Sequence, residues 1–285
     1  MEKVIVTGGA GFIGSHLCNR LKDEYEVYSI DNYFTGSKNN HIDGVNYTDA
    51  SAADISKHFN FSPKYIYHLG EYSRVEQSFE DIKKVWEYNR QGIVSVLEFA
   101  RETSAKIIYA GSSTKFGDKG LGKNQSPYAW SKASNSELVV NYGNWFNLQY
   151  AITYFYNVYG DREIREGKYA TLIASFAEKM KNNKKLTVVK PGHQLRNFTH
   201  IDDIINALVL IGEKGLGDDF GIGSDESYSV IEIAKLYGGE IEFLQERKGN
   251  RMSADVLTKK TKSLGWRPEK NINDYINKMK LNNWE

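Results

Sequence analysis

One cysteine, Cys18, is the only thiol in 285 residues. Its solitude excludes an intramolecular disulfide, leaves no cysteine cluster for a zinc site and fits a reducing compartment. On its helix it reads as a small core residue. Charge of one sign is lacking too, since 37 Lys and Arg face 36 Asp and Glu, a formal net charge of +1. No overall field draws such a chain onto nucleic acid or an anionic membrane, so partners must be recognised locally. No apolar run approaches the roughly 20 residues of a membrane span. The opening residues Met1-Glu2-Lys3-Val4-Ile5-Val6 enter a strand directly and carry no signal-peptide layout. A cytoplasmic protein with no membrane, nucleic-acid or metal partner is expected. A Pro-, Gly- or Ser-rich linker, an internal repeat and a low-complexity tract are likewise missing, so two lobes, if present, should be interwoven.

What is present is alternation. Short apolar runs at residues 4–7, 27–30, 65–69, 106–110 and 150–155 read as strands, and amphipathic stretches at 15–22, 75–101 and 128–146 read as helices between them. This is βαβ logic, which implies a Rossmann-type, doubly wound parallel sheet with ligands beyond the C-terminal strand ends. After about residue 160 the alternation loosens, with helices expected at 171–181, 201–213 and 230–237 and a strand at 186–189. The expectation is a dinucleotide-binding domain over 1–160, with segments returning from the second half, and a smaller substrate lobe over 161–285.

Thr7-Gly8-Gly9-Ala10-Gly11-Phe12-Ile13-Gly14 follows the first strand and opens the first helix. Gly9, Gly11 and Gly14 satisfy the G-x-G-x-x-G pattern, whose turn lets backbone approach a pyrophosphate. The unpaired N–H groups and partial positive charge of the helix start then face the diphosphate. Glycine strings also serve plain turns; the second element is Asp31, twenty positions after Gly11 at the end of the second strand. A carboxylate there accepts the adenosine ribose hydroxyls and repels the extra phosphate of NADP. No Arg or Lys stands at Asn32 or Tyr33. NAD is the expected cofactor.

Ser126-Pro127-Tyr128-Ala129-Trp130-Ser131-Lys132 begins a helix, with Ser126 as N-cap and Pro127 at the first position. Tyr128 and Lys132 are then at i and i+4 on one face. Free tyrosine has a pKa of about 10, too high for a base at neutral pH. A cation at about 4 Å is worth roughly 4 kcal/mol at an effective dielectric near 20, and one pKa unit is about 1.4 kcal/mol. A fall of about two to three units is within reach. Y-x-x-x-K also occurs on ordinary solvated faces; here it follows the glycine turn and a hydroxyl-rich strand end, Tyr109-Ala110-Gly111-Ser112-Ser113-Thr114. A hydroxyl there can bond the reacting substrate oxygen and share its proton with the phenolate.

These residues, with Asn157 in Tyr156-Asn157-Val158-Tyr159-Gly160, with Arg196-Asn197-Phe198-Thr199-His200-Ile201-Asp202-Asp203 and with Leu264-Gly265-Trp266-Arg267-Pro268, resemble the extended short-chain dehydrogenase/reductases. More narrowly they resemble the nucleotide-sugar epimerases and dehydratases, nearly end to end. The resemblance implies catalysis by Tyr128, Lys132 and Ser112, with Lys132 also holding the nicotinamide ribose. It implies a cofactor bed of Gly8, Gly11, Phe12, Ile13, Gly14, Asp31 and Asn32, with Asp49 and Ala50 beside adenine and Leu69 and Gly70 below the cofactor. A nucleotide-diphosphate sugar would meet Ser73, Ser113, Thr114, Asn157 and Arg196, with a second arginine at Arg247 or Arg251. Relatives pair two helices into a four-helix bundle, which implies a homodimer through residues 85–101 and 132–146.

Two departures shape the expected reaction. Sugar 4,6-dehydratases of the family carry an Asp-Glu pair where this chain has Ser113 and Thr114, so dehydration is disfavoured. The connection 118–127, longer in many relatives, is short and leaves a more open pocket. Oxidation at C4 of the sugar is therefore expected, followed by re-reduction on the other face, a 4-epimerase. The alternative is release of the keto sugar, a net 4-dehydrogenase serving surface polysaccharide synthesis. A non-catalytic NAD sensor is the rival from another class, opposed by the intact Ser112, Tyr128 and Lys132.

Overall fold

The computed structural model describes residues 1–116, 118–245 and 256–285. The first half lays down β1 (Lys3–Thr7), α1 (Phe12–Leu21), β2 (Glu26–Asp31), β3 (Asn46–Asp49), α2 (Ile55–His58), β4 (Tyr65–His68), α3 (Ile82–Val85), α4 (Gly92–Thr103), β5 (Lys106–Ala110), α5 (Pro127–Phe146) and β6 (Tyr150–Phe155). The second adds β7 (Val158–Tyr159), α6 (Leu172–Lys181), β8 (Leu186–Val189), β9 (Leu195–Asn197), β10 (Thr199–His200), α7 (Ile201–Lys214), β11 (Gly217–Ile222), β12 (Ser227–Ser229), α8 (Val230–Tyr237), β13 (Ile241–Leu244), α9 (Lys259–Ser263) and α10 (Ile272–Leu281).

Among the described residues one seven-stranded sheet runs in the order β11-β6-β5-β4-β1-β2-β3, every pair parallel. β4 and β5 are buried at every position, as strands covered on both faces must be. One face packs Val4, Val6 and Tyr67 against α1 and α7, and the other packs Ile5, Ile66 and Ile107 against α2, α4 and α5. The order reverses between β1 and β4, so a crevice opens where the chain leaves both strands. β11 and α7 return from the second half to this sheet.

The stretch 75–101 is not one helix. Residues 86–91 form a π turn between α3 and α4. That extra residue per turn brings Asn89 inward, where its Oδ1 accepts from the Tyr72 N–H at 2.6 Å and its Nδ2 donates to Ser131 Oγ at 2.9 Å. α5 starts as its residues dictate: Ser126 Oγ accepts from the Ala129 N–H at 3.1 Å, with Pro127 at the first position. A separate buried cluster, called the second lobe below, packs Tyr159, Phe176, Ile233, Tyr237 and Met279 between α6, α8 and α10.

Candidate functional site

A cavity of about 520 Å³ lies along the C-terminal rim of β1, β4 and β5 and runs toward the second lobe. At its β1 end Gly8 has φ +75°, and a Cβ there would stand 2.8 Å from Gly70 Cα, so the turns after β1 and β4 touch. A Cβ on Gly14 would stand 2.0 Å from the Gly8 carbonyl oxygen. Both positions therefore need glycine for the turn to close. No side chain caps the start of α1, which leaves its N–H groups to the cavity. Gly8, Gly11, Phe12, Ile13, Gly14, Asp31 and Asn32 all line this part.

Asp31 closes the bed from the β2 side. Its Oδ2 accepts from the Ala10 N–H at 2.9 Å and its Oδ1 from the Tyr33 N–H at 2.8 Å. Burial raises its carboxyl above the ordinary value, and the two N–H donors oppose that shift. Leu69 and Gly70 form the floor. Asp49 and Ala50 stand at the end of β3 beside Asp31, where the Ala50 N–H donates to the Asp31 carbonyl at 3.1 Å. The wall there is made by Ser51 and Ala52. A glycine cradle that admits no Cβ, an uncapped helix start and a buried carboxylate at the end of the second strand together fit a dinucleotide.

Near the end of β5 the three hydroxyl and amine groups singled out from the sequence meet. The Tyr128 hydroxyl donates to Ser112 Oγ at 3.1 Å, and Ser112 Oγ lies 2.9 Å from Thr114 Oγ1. Lys132 is one turn along the same face of α5, and its Nζ donates to the Ala110 carbonyl at 2.5 Å. Tyr128, Lys132 and Ser112 are all under 10% exposed and line the cavity, as do Ser113 and Thr114.

Lys132 is not the unopposed cation from which the activation of Tyr128 is expected. It forms an ion pair with Glu71, a carboxylate just beyond β4 that sequence reasoning missed. The Tyr109 hydroxyl donates to Glu71 Oε2 at 3.0 Å and Asn135 Nδ2 to Oε1 at 3.1 Å. A charged residue directly after an apolar strand of a parallel sheet, at the rim where ligands bind, was the available signal.

Toward the second lobe the wall carries Ser73, Asn157 and Arg196. Asn157 has φ +37° and its Nδ2 donates to the Asn197 carbonyl at 3.0 Å, while Arg196 Nη1 donates to its neighbour's carbonyl at 2.8 Å. Arg247 and Arg251 lie outside the described residues. Two further charged groups line the same end. Arg74 donates to the Tyr169 carbonyl through Nε at 3.0 Å and Nη2 at 2.7 Å. Glu163 accepts from the Gly160 N–H at 2.9 Å, and burial pushes its carboxyl up to about 7. Beside Arg74, Gln77 donates to the Lys168 carbonyl at 2.9 Å, and the Tyr72 and Tyr169 hydroxyls share Asp81 Oδ2 at 2.9 and 2.8 Å. Residues 72–81 and 168–169 are thus stitched together at the cavity edge.

Among the described residues no group of three or more His, Cys, Asp or Glu could hold a metal ion, and no helix is long and apolar enough to cross a membrane.

A parallel sheet with this strand order, carrying its glycine turn at the switch point and a tyrosine-lysine-serine set one strand away, defines a dinucleotide-dependent enzyme of the short-chain dehydrogenase/reductase class. Comparison narrows the class: the model of the NAD-dependent epimerase/dehydratase family matches residues 4–223, and the chain belongs to that family. Its dinucleotide is therefore NAD. A Methanocaldococcus jannaschii protein provisionally named UDP-glucose 4-epimerase is 30% identical, over 98% of this chain and 99% of its own length. UDP-glucuronic acid decarboxylase 1 of Xenopus tropicalis is 26% identical, over 97% of this chain and 71% of its own. The UDP-glucose 4-epimerase of Thermus thermophilus, solved in complex with NAD, superposes with a TM-score of 0.90 at 26% identity, covering 99% of this chain and 98% of that one.

Proposed function

We propose that this chain is a nucleotide-sugar 4-epimerase. The observation that carries the reading is the buried contact between the Tyr128 hydroxyl and Ser112 Oγ, one helical turn from Lys132, in a cavity that continues to Ser73, Asn157 and Arg196. Bound NAD supplies the hydride acceptor. The chain's own groups do the rest. Ser112 orients the reacting hydroxyl, Tyr128 takes its proton, and Lys132 fixes the ribose end of the cofactor. Arg196 and Asn157 hold the diphosphate side, with Ser73, Ser113 and Thr114 toward the sugar. Neither Ser113 nor Thr114 can remove water across C5 and C6, because each offers only a hydroxyl. The family relatives named above act on uridine nucleotides, which makes a UDP-sugar the first substrate to test.

A second reading, net 4-dehydrogenation, is favoured by one feature. Among the described residues none from 118 to 127 lines the cavity, and Leu121 in that connection is 68% exposed. The sugar end is left open for a keto sugar to leave.

Chromatographic separation of sugar isomers with mass spectrometry, on purified enzyme with a panel of nucleotide sugars and no added oxidant, separates the outcomes. Isomer mixtures of unchanged mass over many turnovers support the epimerase. A halt after about one turnover with reduced cofactor marks the dehydrogenase. A product lighter by water or carbon dioxide overturns both, and binding without turnover marks a sensor.

The exposed apolar groups on the π turn 86–91, α4 and α5 support a homodimer. Trp86 and Trp130 stack edge to face at 5.4 Å and are both exposed, as are Val94, Trp145 and Phe146.

A further inference from the structure

Four polar groups from three elements converge on Glu71, whose side chain is 1% exposed. Lys132 and Asn135 reach it from α5 and Tyr109 from β5. From β4, His68 places Nε2 at 3.5 Å from Oε1 while its Nδ1 is held 2.7 Å from Thr7 Oγ1. Arg74, Glu163 and Arg196 are the other charged groups on the wall toward the second lobe, and Asp31 lines the far end. Burial pushes the Glu71 carboxyl up, but Lys132 and His68 more than offset this and hold it below its ordinary value. Glu71 and Lys132 are therefore an internal salt with no net charge. Both line the cavity that holds Tyr128. A lone lysine there would add a full positive charge to the cofactor bed; the pair adds none.

We propose that Glu71 is a positioning residue that pins the Lys132 ammonium and cancels its charge, so that the bed favours the positively charged oxidised nicotinamide over the neutral reduced one. This rests on the family's use of NAD, and it deepens the proposed reaction. A site that disfavours the reduced cofactor drives the hydride back onto the keto sugar and opposes release of that sugar, which is what an epimerase requires. In a site of effective dielectric near 20, one unit charge at several ångströms is worth on the order of tenfold or more in relative affinity.

The test compares dissociation constants for NAD and NADH, each alone, at pH 6.5. In Glu71→Gln the ratio should move toward the reduced form by roughly tenfold, because Lys132 is left unopposed. A structural role alone would weaken both forms together and leave the ratio in place, so a ratio within about twofold of wild type overturns the proposal. The double variant Glu71→Gln with Lys132→Met removes both charges and should restore the ratio. A ratio that stays shifted in the double variant also overturns it. An unpaired buried ammonium can prevent folding. If Glu71→Gln does not fold, Lys132→Met is compared with the double variant: the single, which keeps the carboxylate, should favour NAD over NADH more than the double does, and equal ratios sink the idea. Only cofactor is used, so a wrong sugar or a wrong reaction leaves the measurement intact.

Discussion

The Tyr128 hydroxyl donates to Ser112 Oγ across 3.1 Å, joining the first turn of α5 to the end of β5. Tyr128→Phe removes that donor and little else, since the ring packs against Tyr72 and Val85. The variant should fold and bind NAD like the wild type, yet lose turnover by about 100-fold or more. Steady-state rates beside NAD titration check it, and activity within about threefold of wild type would refute the proton-transfer role.

Asp31 sits where two backbone N–H groups from separate turns meet one carboxylate. Asp31→Ala leaves both donors without an acceptor and removes the charge that would repel a 2′-phosphate. Charge-assisted bonds are worth about 1.5–3 kcal/mol, so NAD affinity should fall by roughly ten- to a hundredfold. Discrimination against NADP should relax. Fluorescence titration with both cofactors is the measurement, and a wild type that prefers NADP would contradict the assignment.

Glu163 makes stability depend on pH. Burial raises its carboxyl to about 7 in the folded chain from an ordinary value of 4.5. The folded state therefore holds this proton more tightly than the unfolded one. Its contribution is fully present below about pH 4.5 and is lost as pH rises through 7. Scanning calorimetry should show Glu163→Gln less sensitive than wild type to a step from pH 6 to pH 8, with the wild type losing several degrees of Tm more. Parallel curves for the two proteins would count against a carboxyl whose proton affinity is raised by burial.

The paired indoles give the quaternary prediction. Trp130→Glu places a charge in the exposed apolar band with Trp86 and should convert a dimer to monomer at micromolar concentration without unfolding the chain. Light scattering reads this directly, and a wild-type monomer would remove the dimer from the account. Val139, an apolar residue of α5, is fully buried within the chain and contributes nothing to such a face; Trp145 is open to it.

Where a residue's position rests on one element, the sequence could be read. The glycine turn, Asp31, and Tyr128 with Lys132 each sit at a spacing that a strand end or one helical turn converts directly into position. The alternation of apolar runs likewise disclosed the parallel sheet. What could not be read depends on distant burial. Glu71 is an acidic residue after a strand until β5 and α5 close over it, 61 positions from Lys132. Arg74 and Glu163 acquire their roles only when the second lobe arrives. The helix over 75–101 fails for a related reason: its periodicity is genuine, but Asn89 is drawn inward to serve the Tyr72 backbone, and the π turn is the local result.

The stitching between Arg74 and Tyr169 has a kinetic meaning. Two guanidinium N–H groups, an amide and one phenol tie the segment after β4 to the segment before α6. Passage of a ligand along that edge requires several of these bonds to rupture together. Opening of that edge should therefore rise steeply with temperature.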